Sequence, residues 1–281
     1  MTDRPRVALV TGATQGLGLA LVKGLAQRLG PDDVVYATGR DRGRLDKVAA
    51  ELGGLGGLGA QVRTELFDVA DPHRAEELAA ALTERHGGVD IVFNNAVMAV
   101  TPDDDARAIV GDYTQVNNFG TTRVLRAFTP LLPDGGRMIV VASSLGTLRY
   151  LAPVLHRQFD DLATLDDVDA AVAAWRDAVR DGSAFGGAWP AFVNIPSKIG
   201  QVTAVRTLAA QRRDGDLARG VLVCAVCPGM INTRISSVWW DVSGAPTPDE
   251  AAVALLELAQ GPVNPDHYGA LVREHQVLPW R

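Results

Sequence analysis

The loop Thr11-Gly12-Ala13-Thr14-Gln15-Gly16-Leu17-Gly18 follows a short apolar run, residues 6–11, without a break. A strand that feeds glycines and then a helix has a chemical use. The glycines let the backbone approach a pyrophosphate, and the helix start offers unpaired N–H groups at the positive end of its dipole. The spacing Gly-x-x-x-Gly-x-Gly, at Gly12, Gly16 and Gly18, departs from the usual Gly-x-Gly-x-x-Gly fingerprint. Its place directly after the first strand carries the reading. The end of the second strand-like run then separates one dinucleotide from another. A carboxylate there would accept from a ribose 2′-hydroxyl and repel a 2′-phosphate. The run ends Ala37-Thr38-Gly39-Arg40-Asp41, and Arg40, the first charged residue, carries a planar fork suited to a phosphate. NADP(H) is therefore the expected cofactor. A second reactive spacing is Asn194-Ile195-Pro196-Ser197-Lys198, with an amide and an ammonium one helical turn apart. The pair Cys224 and Cys227 suggests zinc or redox chemistry only weakly. No second pair exists to complete a zinc site, and on a strand the two would face opposite ways. Buried thiols are the expectation.

The elements that position these residues alternate. Strand-like runs cover 7–11, 33–38, 61–67, 91–94, 137–143, 220–226 and 268–273, and amphipathic runs such as 17–29, 72–86 and 112–132 lie between them. That rhythm predicts a single α/β domain over residues 1–281, a Rossmann-type doubly wound parallel sheet of seven strands with helices on both faces. Two segments break it. The glycine-rich run 53–59 follows a helix rather than a strand, so a flexible surface linker is expected instead of a phosphate loop. Residues 148–187 form an insertion before Asn194. Within it Val168, Val172, Trp175 and Val179 share one helical face. A surface-packed helix and a lid both remain open.

With 281 residues and 47% hydrophobic content the chain can bury one substantial core. A net charge of −6 argues against a nucleic-acid partner. No apolar run approaches the roughly 20 residues that span a bilayer. Residues 1–6 lack the apolar stretch of a leader, which makes a cytoplasmic protein acting on a small molecule the expectation.

Across nearly its whole length the chain resembles the short-chain dehydrogenase/reductase family. Beyond the glycine loop, Leu66-Phe67-Asp68-Val69 matches the family's adenine-contacting segment. Asn94-Asn95-Ala96-Val97 is similar to Asn-Asn-Ala-Gly beside the cofactor, and Pro228-Gly229-Met230-Ile231-Asn232-Thr233 to the segment beside the nicotinamide. The resemblance implies that Gly12, Thr14, Gln15, Gly16, Leu17, Gly18, Arg40, Asp68, Val69, Asn94, Ala96, Lys198, Pro228, Gly229 and Thr233 hold the cofactor. It also implies that Asn117 holds a water in a proton relay, and that Ser144, or Ser143 one residue earlier, binds the substrate. A narrower resemblance is to the monomeric NADPH-dependent carbonyl reductases. They carry a similar insertion over a surface that other members use to dimerise, which implies a monomer here. Their Trp-Pro-x-x-x-Tyr-x-x-x-Lys-Ile-Gly is matched by Trp189-Pro190-Ala191-Phe192-Val193-Asn194-Ile195-Pro196-Ser197-Lys198-Ile199-Gly200. The register is fixed on both sides, so Asn194 stands where the family has its proton-giving tyrosine.

An amide has no titratable proton near neutral pH, and general acid catalysis is typically worth about 10²–10⁴-fold. Three readings follow from this. Reduction persists, with Asn194 as a hydrogen-bond donor and a proton from Lys198 through water, from Tyr150 or from His156. Alternatively the fold serves reduction of an iminium or activated alkene, or a non-redox cyclisation or rearrangement. In the third, the chain binds NADP(H) without catalysis. Met98, Met230, Trp189, Phe192, Val238, Trp239 and Trp240 border the expected pocket and suggest an apolar, aromatic or polycyclic ligand. Pro196 is expected to perturb the start of its helix.

Overall fold

Val7, Ala8, Leu9 and Val10 are all fully buried, so the first strand, β1 (Val7–Val10), has no solvent face and must lie inside a covered sheet. The computed structural model describes residues 4–281. Met1–Asp3, at the head of the segment expected to lack a leader, lie outside the described residues. Around β1 stand β2 (Val34–Gly39), β3 (Gln61–Leu66), β4 (Ile91–Asn94), β5 (Arg137–Val141), β6 (Leu222–Val226), β7 (Leu271–Arg273) and β8 (Gln276–Leu278). They form one sheet in the order β3-β2-β1-β4-β5-β6-β7-β8. All pairings are parallel except β7 with β8. The Rossmann-like architecture is as expected, with one difference: an eighth, antiparallel edge strand. Its hairpin turn is made by Glu274 and His275 at φ 48° and 63°. Neither is the asparagine or glycine that usually marks such a turn, so the sequence does not announce it.

The crossover helices are α1 (Gly16–Arg28), α2 (Arg42–Gly53), α3 (Arg74–His86), α4 (Ala106–Thr114), α5 (Gly120–Phe128), α6 (Leu165–Asp181), α7 (Asn194–Ala218) and α8 (Pro248–Gln260). The single helix predicted over 112–132 is interrupted. Between α4 and α5 lies one π-helical turn, Gln115–Phe119, at which Thr114 Oγ1 donates back to Val110 O and Gly111 O. Such turns recur at functional sites because the extra residue re-aims the side chains around it. Pro196 does not break α7. It is the third residue of the helix, where its missing N–H has no intrahelical partner to lose.

The insertion contains α6, capped by a reciprocal Thr164–Asp167 box. The predicted face is the buried one: Val172, Trp175 and Val179 pack with Tyr113 of α4 and Ile199 of α7 into a second apolar cluster, while Val168 joins the main core. The helix thus covers α4 and α7 from outside. The insertion is also stitched to the last strand's tail. Leu148 N donates to Trp280 O at 2.8 Å, Trp280 Nε1 donates to Asp160 at 3.0 Å, and Arg206 stacks 4.7 Å over the Trp280 ring. No helix among the described residues is long and apolar enough to cross a membrane.

Candidate active site

The glycine loop is built for close approach. Gly12 takes φ 64°, and a Cβ there would sit 2.7 Å from the Ala96 Cα. One on Gly18 would sit 2.3 Å from Gly12 O. α1 starts after an extended Gln15 with no side-chain cap and no acid in its first turn. Its N–H groups are therefore open to an anion. The loop is clamped by a residue the motif reading passed over. Asn95 Nδ2 donates to Thr11 O and Gly12 O at 2.9 and 3.2 Å, while the Asn95 and Ala96 N–H groups donate to Thr11 Oγ1. Asn94 instead turns inward, its Nδ2 donating to Thr121 Oγ1 at 2.9 Å.

Arg40 lies exposed just beyond β2 and makes no ion pair with a described residue. Asp41 is already engaged: its Oδ1 caps α2 by accepting from Arg44 N at 2.9 Å. The arrangement leaves a free guanidinium and an occupied carboxylate, which suits a 2′-phosphate over a 2′-hydroxyl. Asp68 closes the turn after β3, its Oδ1 accepting from Ala70 N at 3.0 Å, and the Val69 side chain is core. After β6 come half-buried Pro228 and Gly229, the latter at φ 78°. Thr233 then faces the start of α1, with its methyl 3.7 Å from where a Gly16 Cβ would lie.

At the other end, Lys198 is buried, and burial pushes its ammonium down to about 8. Its Nζ donates to Gln201 Oε1 at 2.7 Å and reaches Val141 O at 3.4 Å. Gln201 Nε2 donates in turn to Thr121 Oγ1, the hydroxyl that also serves Asn94. A Cβ on Gly146 would press on Lys198 O at 2.8 Å, so Ser144 lies in a stretch bracketed on both sides by Lys198. The Ser143 hydroxyl accepts from Leu145 N and stays in its own turn, whereas half-buried Ser144 has no partner among the described residues.

Asn117 sits at the centre of the π turn with both ends of its amide tied to Met98, N–H to Oδ1 at 2.8 Å and Nδ2 to O at 3.1 Å. Its side chain fastens the loop after β4. Asn194 is the first residue of α7, and its Oδ1 accepts from Tyr113 Oη on α4 at 2.9 Å. Tyr113 was not singled out by any motif. Tyr150 and His156 are occupied elsewhere, the first accepting from Arg149 at the surface and the second bonded to Leu151 O.

Trp239 closes the aromatic wall. Its Nε1 donates to Val100 O at 2.8 Å and its ring packs 5.0 Å from that of Phe192. Trp240 follows at 6.1 Å. Trp189 instead packs into the insertion beside Trp175 and Phe159. Cys224 and Cys227 are buried and unpaired, and burial pushes the Cys224 thiol up to about 12, so it stays protonated. A cavity of about 540 Å³ lies against α8 behind Pro228 and is lined by neither Ser144, Asn194 nor Lys198.

Three comparisons bear on this arrangement. Residues 6–154 match the family model for short chain dehydrogenases. The chain is 30% identical to carbonyl reductase [NADPH] 3 of Mus musculus over the whole of both chains, and 28% identical to carbonyl reductase [NADPH] 1 of the same species over 99% of each. Its fold is like that of a menthone neomenthol reductase from Mentha piperita, with a TM-score of 0.73 at 22% identity over 97% of this chain and 99% of that one. An NADPH-bound carbonyl reductase from chicken fatty liver gives 0.68, also at 22% identity, over 99% and 100%. Glycine loop, crossover order and the α7 lysine thus converge on one conclusion: the chain belongs to the short-chain dehydrogenase family.

Proposed function

We propose that this protein is an NADP(H)-dependent reductase of a carbonyl or imine on an apolar small molecule, working with Asn194 in place of the usual tyrosine acid. The observation that carries it is the head of α7: Asn194 one turn before a buried Lys198, which reaches Val141 O in the stretch that holds Ser144, a hydroxyl without a partner among the described residues. The uncapped α1 start with Gly12, Thr14, Gln15, Gly16, Leu17 and Gly18 would take the pyrophosphate, and Arg40 the 2′-phosphate. Asp68 and Val69 would border the adenine, with Asn94, Ala96, Pro228, Gly229 and Thr233 around the rest. When bound, the nicotinamide supplies hydride. Ser144 would donate to the substrate's reacting heteroatom, and Lys198 would hold positive charge nearby. Asn117 would act by fixing the loop at Met98. The shared name of the curated relatives, carbonyl reductase [NADPH], agrees with this reading. The cover that α6 gives α4 and α7 supports a monomer.

NADPH oxidation by the native protein and by Asn194→Tyr, against quinones, aromatic aldehydes and cyclic imines, tests the proposal. Turnover by the native protein within about tenfold of the variant on at least one class is expected. Activity confined to Asn194→Tyr would favour a non-redox cyclisation or rearrangement. NADPH binding without turnover in either would favour a non-catalytic role.

A further inference from the structure

Tyr113 is a wholly buried phenol, on the face of α4 turned to α7, that the cofactor and substrate assignments leave unused. Its surroundings restrict what its proton can do. The only proton of the Ser197 hydroxyl goes to Asn118 Oδ1 at 2.8 Å, and the Asn117 amide is bound at both ends by Met98. The phenol proton goes to Asn194 Oδ1 at 2.9 Å. A primary amide is planar, with one accepting end and one donating end. Holding the oxygen against α4 therefore directs the Nδ2 group the other way. Asn194 is half-buried, no described residue accepts from its Nδ2, and that atom is not among the sealed, unsatisfied ones. Nδ2 is therefore accessible and free to donate to a bound molecule.

We infer that Tyr113 is a positioning residue: its hydroxyl locks the Asn194 amide so that Nδ2 is presented to the substrate's reacting heteroatom as a fixed hydrogen-bond donor. The inference rests on the reductase reading of Asn194. Asn194 Nδ2 then offers donors only, and the Ser144 hydroxyl can donate beside it. A carbonyl oxygen finds two donors there, whereas for the N–H of a protonated imine only the Ser144 oxygen is left to accept, because Oδ1 is engaged by Tyr113. The site therefore favours electron-poor carbonyls over iminium ions. The carbon gains the hydride and its electron pair as the new C–H bond. The C=O π pair moves to oxygen, which is held by Nδ2–H and the serine O–H and takes its proton from water. An electron-poor carbonyl such as a quinone's makes that alkoxide less basic by induction, so donors suffice where a simple ketone would require an acid. Burial pushes the Tyr113 phenol up to about 12, against the opposing influence of Ser197 and Asn117, so it remains a donor across the working pH range.

The test is a double-mutant cycle with 1,4-naphthoquinone and NADPH, read beside the proton NMR of the cofactor-free protein. Tyr113→Phe keeps the ring and its packing and is expected to lower kcat about tenfold, the worth of one orienting hydrogen bond, without changing KM for NADPH. In the Asn194→Ala background the same change should have no further effect, because the amide it orients is gone. Asn194→Asp, which offers acceptors only, should reverse the preference toward a cyclic iminium. A slowly exchanging phenolic proton should appear downfield in the native protein, vanish in Tyr113→Phe and move in Asn194→Ala. Additive losses in the cycle, or a hydroxyl resonance indifferent to Asn194→Ala, would overturn the assignment. If no form turns over naphthoquinone while the resonance behaves as stated, the contact stands, and the reductase reading and the substrate selection built on it fall.

Discussion

Lys198 shows how burial turns one residue into a pH-dependent part. Its ammonium titrates near 8 because desolvation penalises the charge. Below that pH it is positive and favours charge developing on a substrate oxygen, so reduction should slow as pH rises through about 8. The same shift acts on stability with a definite sign. The folded value lies below the ordinary 10.5, so between about 8 and 10.5 the unfolded chain binds more protons and stability rises with pH. Thermal unfolding of native protein and Lys198→Met over pH 7–10.5 should show that rise only in the native protein. Arg40 makes a simpler prediction: Arg40→Ala should weaken NADPH binding about 10–100-fold and leave NADH nearly unaffected, as read by fluorescence titration. Both residues were legible in the sequence because each sits a fixed number of positions from a strand or helix end. Tyr113 was not. It meets Asn194 across 81 positions through a single hydrogen bond, and only the packing of α4 on α7 brings them together. Asn95 was passed over for the opposite reason: it adjoins Asn94, and nothing in the sequence tells which of two neighbouring amides faces the loop.

At the scale of elements, helical periodicity identified the apolar face of α6 but not what it would meet. Val168, Val172, Trp175 and Val179 are all buried, the last three against α4 and α7 and Val168 in the main core, so the helix lies as a cover over α4 and α7. Trp175→Ala should cost about 3–5 kcal/mol in chemical denaturation, as expected for removing a wholly buried aromatic. Charges at Val168 and Val172 together should peel α6 away. The newly exposed α4 and α7 would then associate, and sedimentation velocity should show a concentration-dependent dimer absent from the native chain. The π turn and the β7–β8 hairpin escaped the sequence reading for one shared reason. Each depends on backbone conformation at residues whose side chains do not favour it, Val116 and Asn117 in one case and Glu274 and His275 in the other.

For the molecule as a whole, the sheet order places β1 between β2 and β4, where the winding direction reverses. A doubly wound sheet opens its ligand crevice at such a point, beyond the strand ends. The glycine loop after β1, Arg40 after β2 and Asn95 after β4 all converge there because topology brings them, not because they are near in sequence. The bond from Leu148 to Trp280 adds a constraint of another kind. The segment just past Ser144 receives a backbone partner from one of the last residues described. During synthesis, the first 200 residues can leave the ribosome with the glycine loop, Ser144 and Lys198 already made. The stretch after Ser144 nevertheless cannot be tied down until residue 280 has emerged. A nascent chain stalled before that point would carry every residue of the crevice and still lack its final fastening.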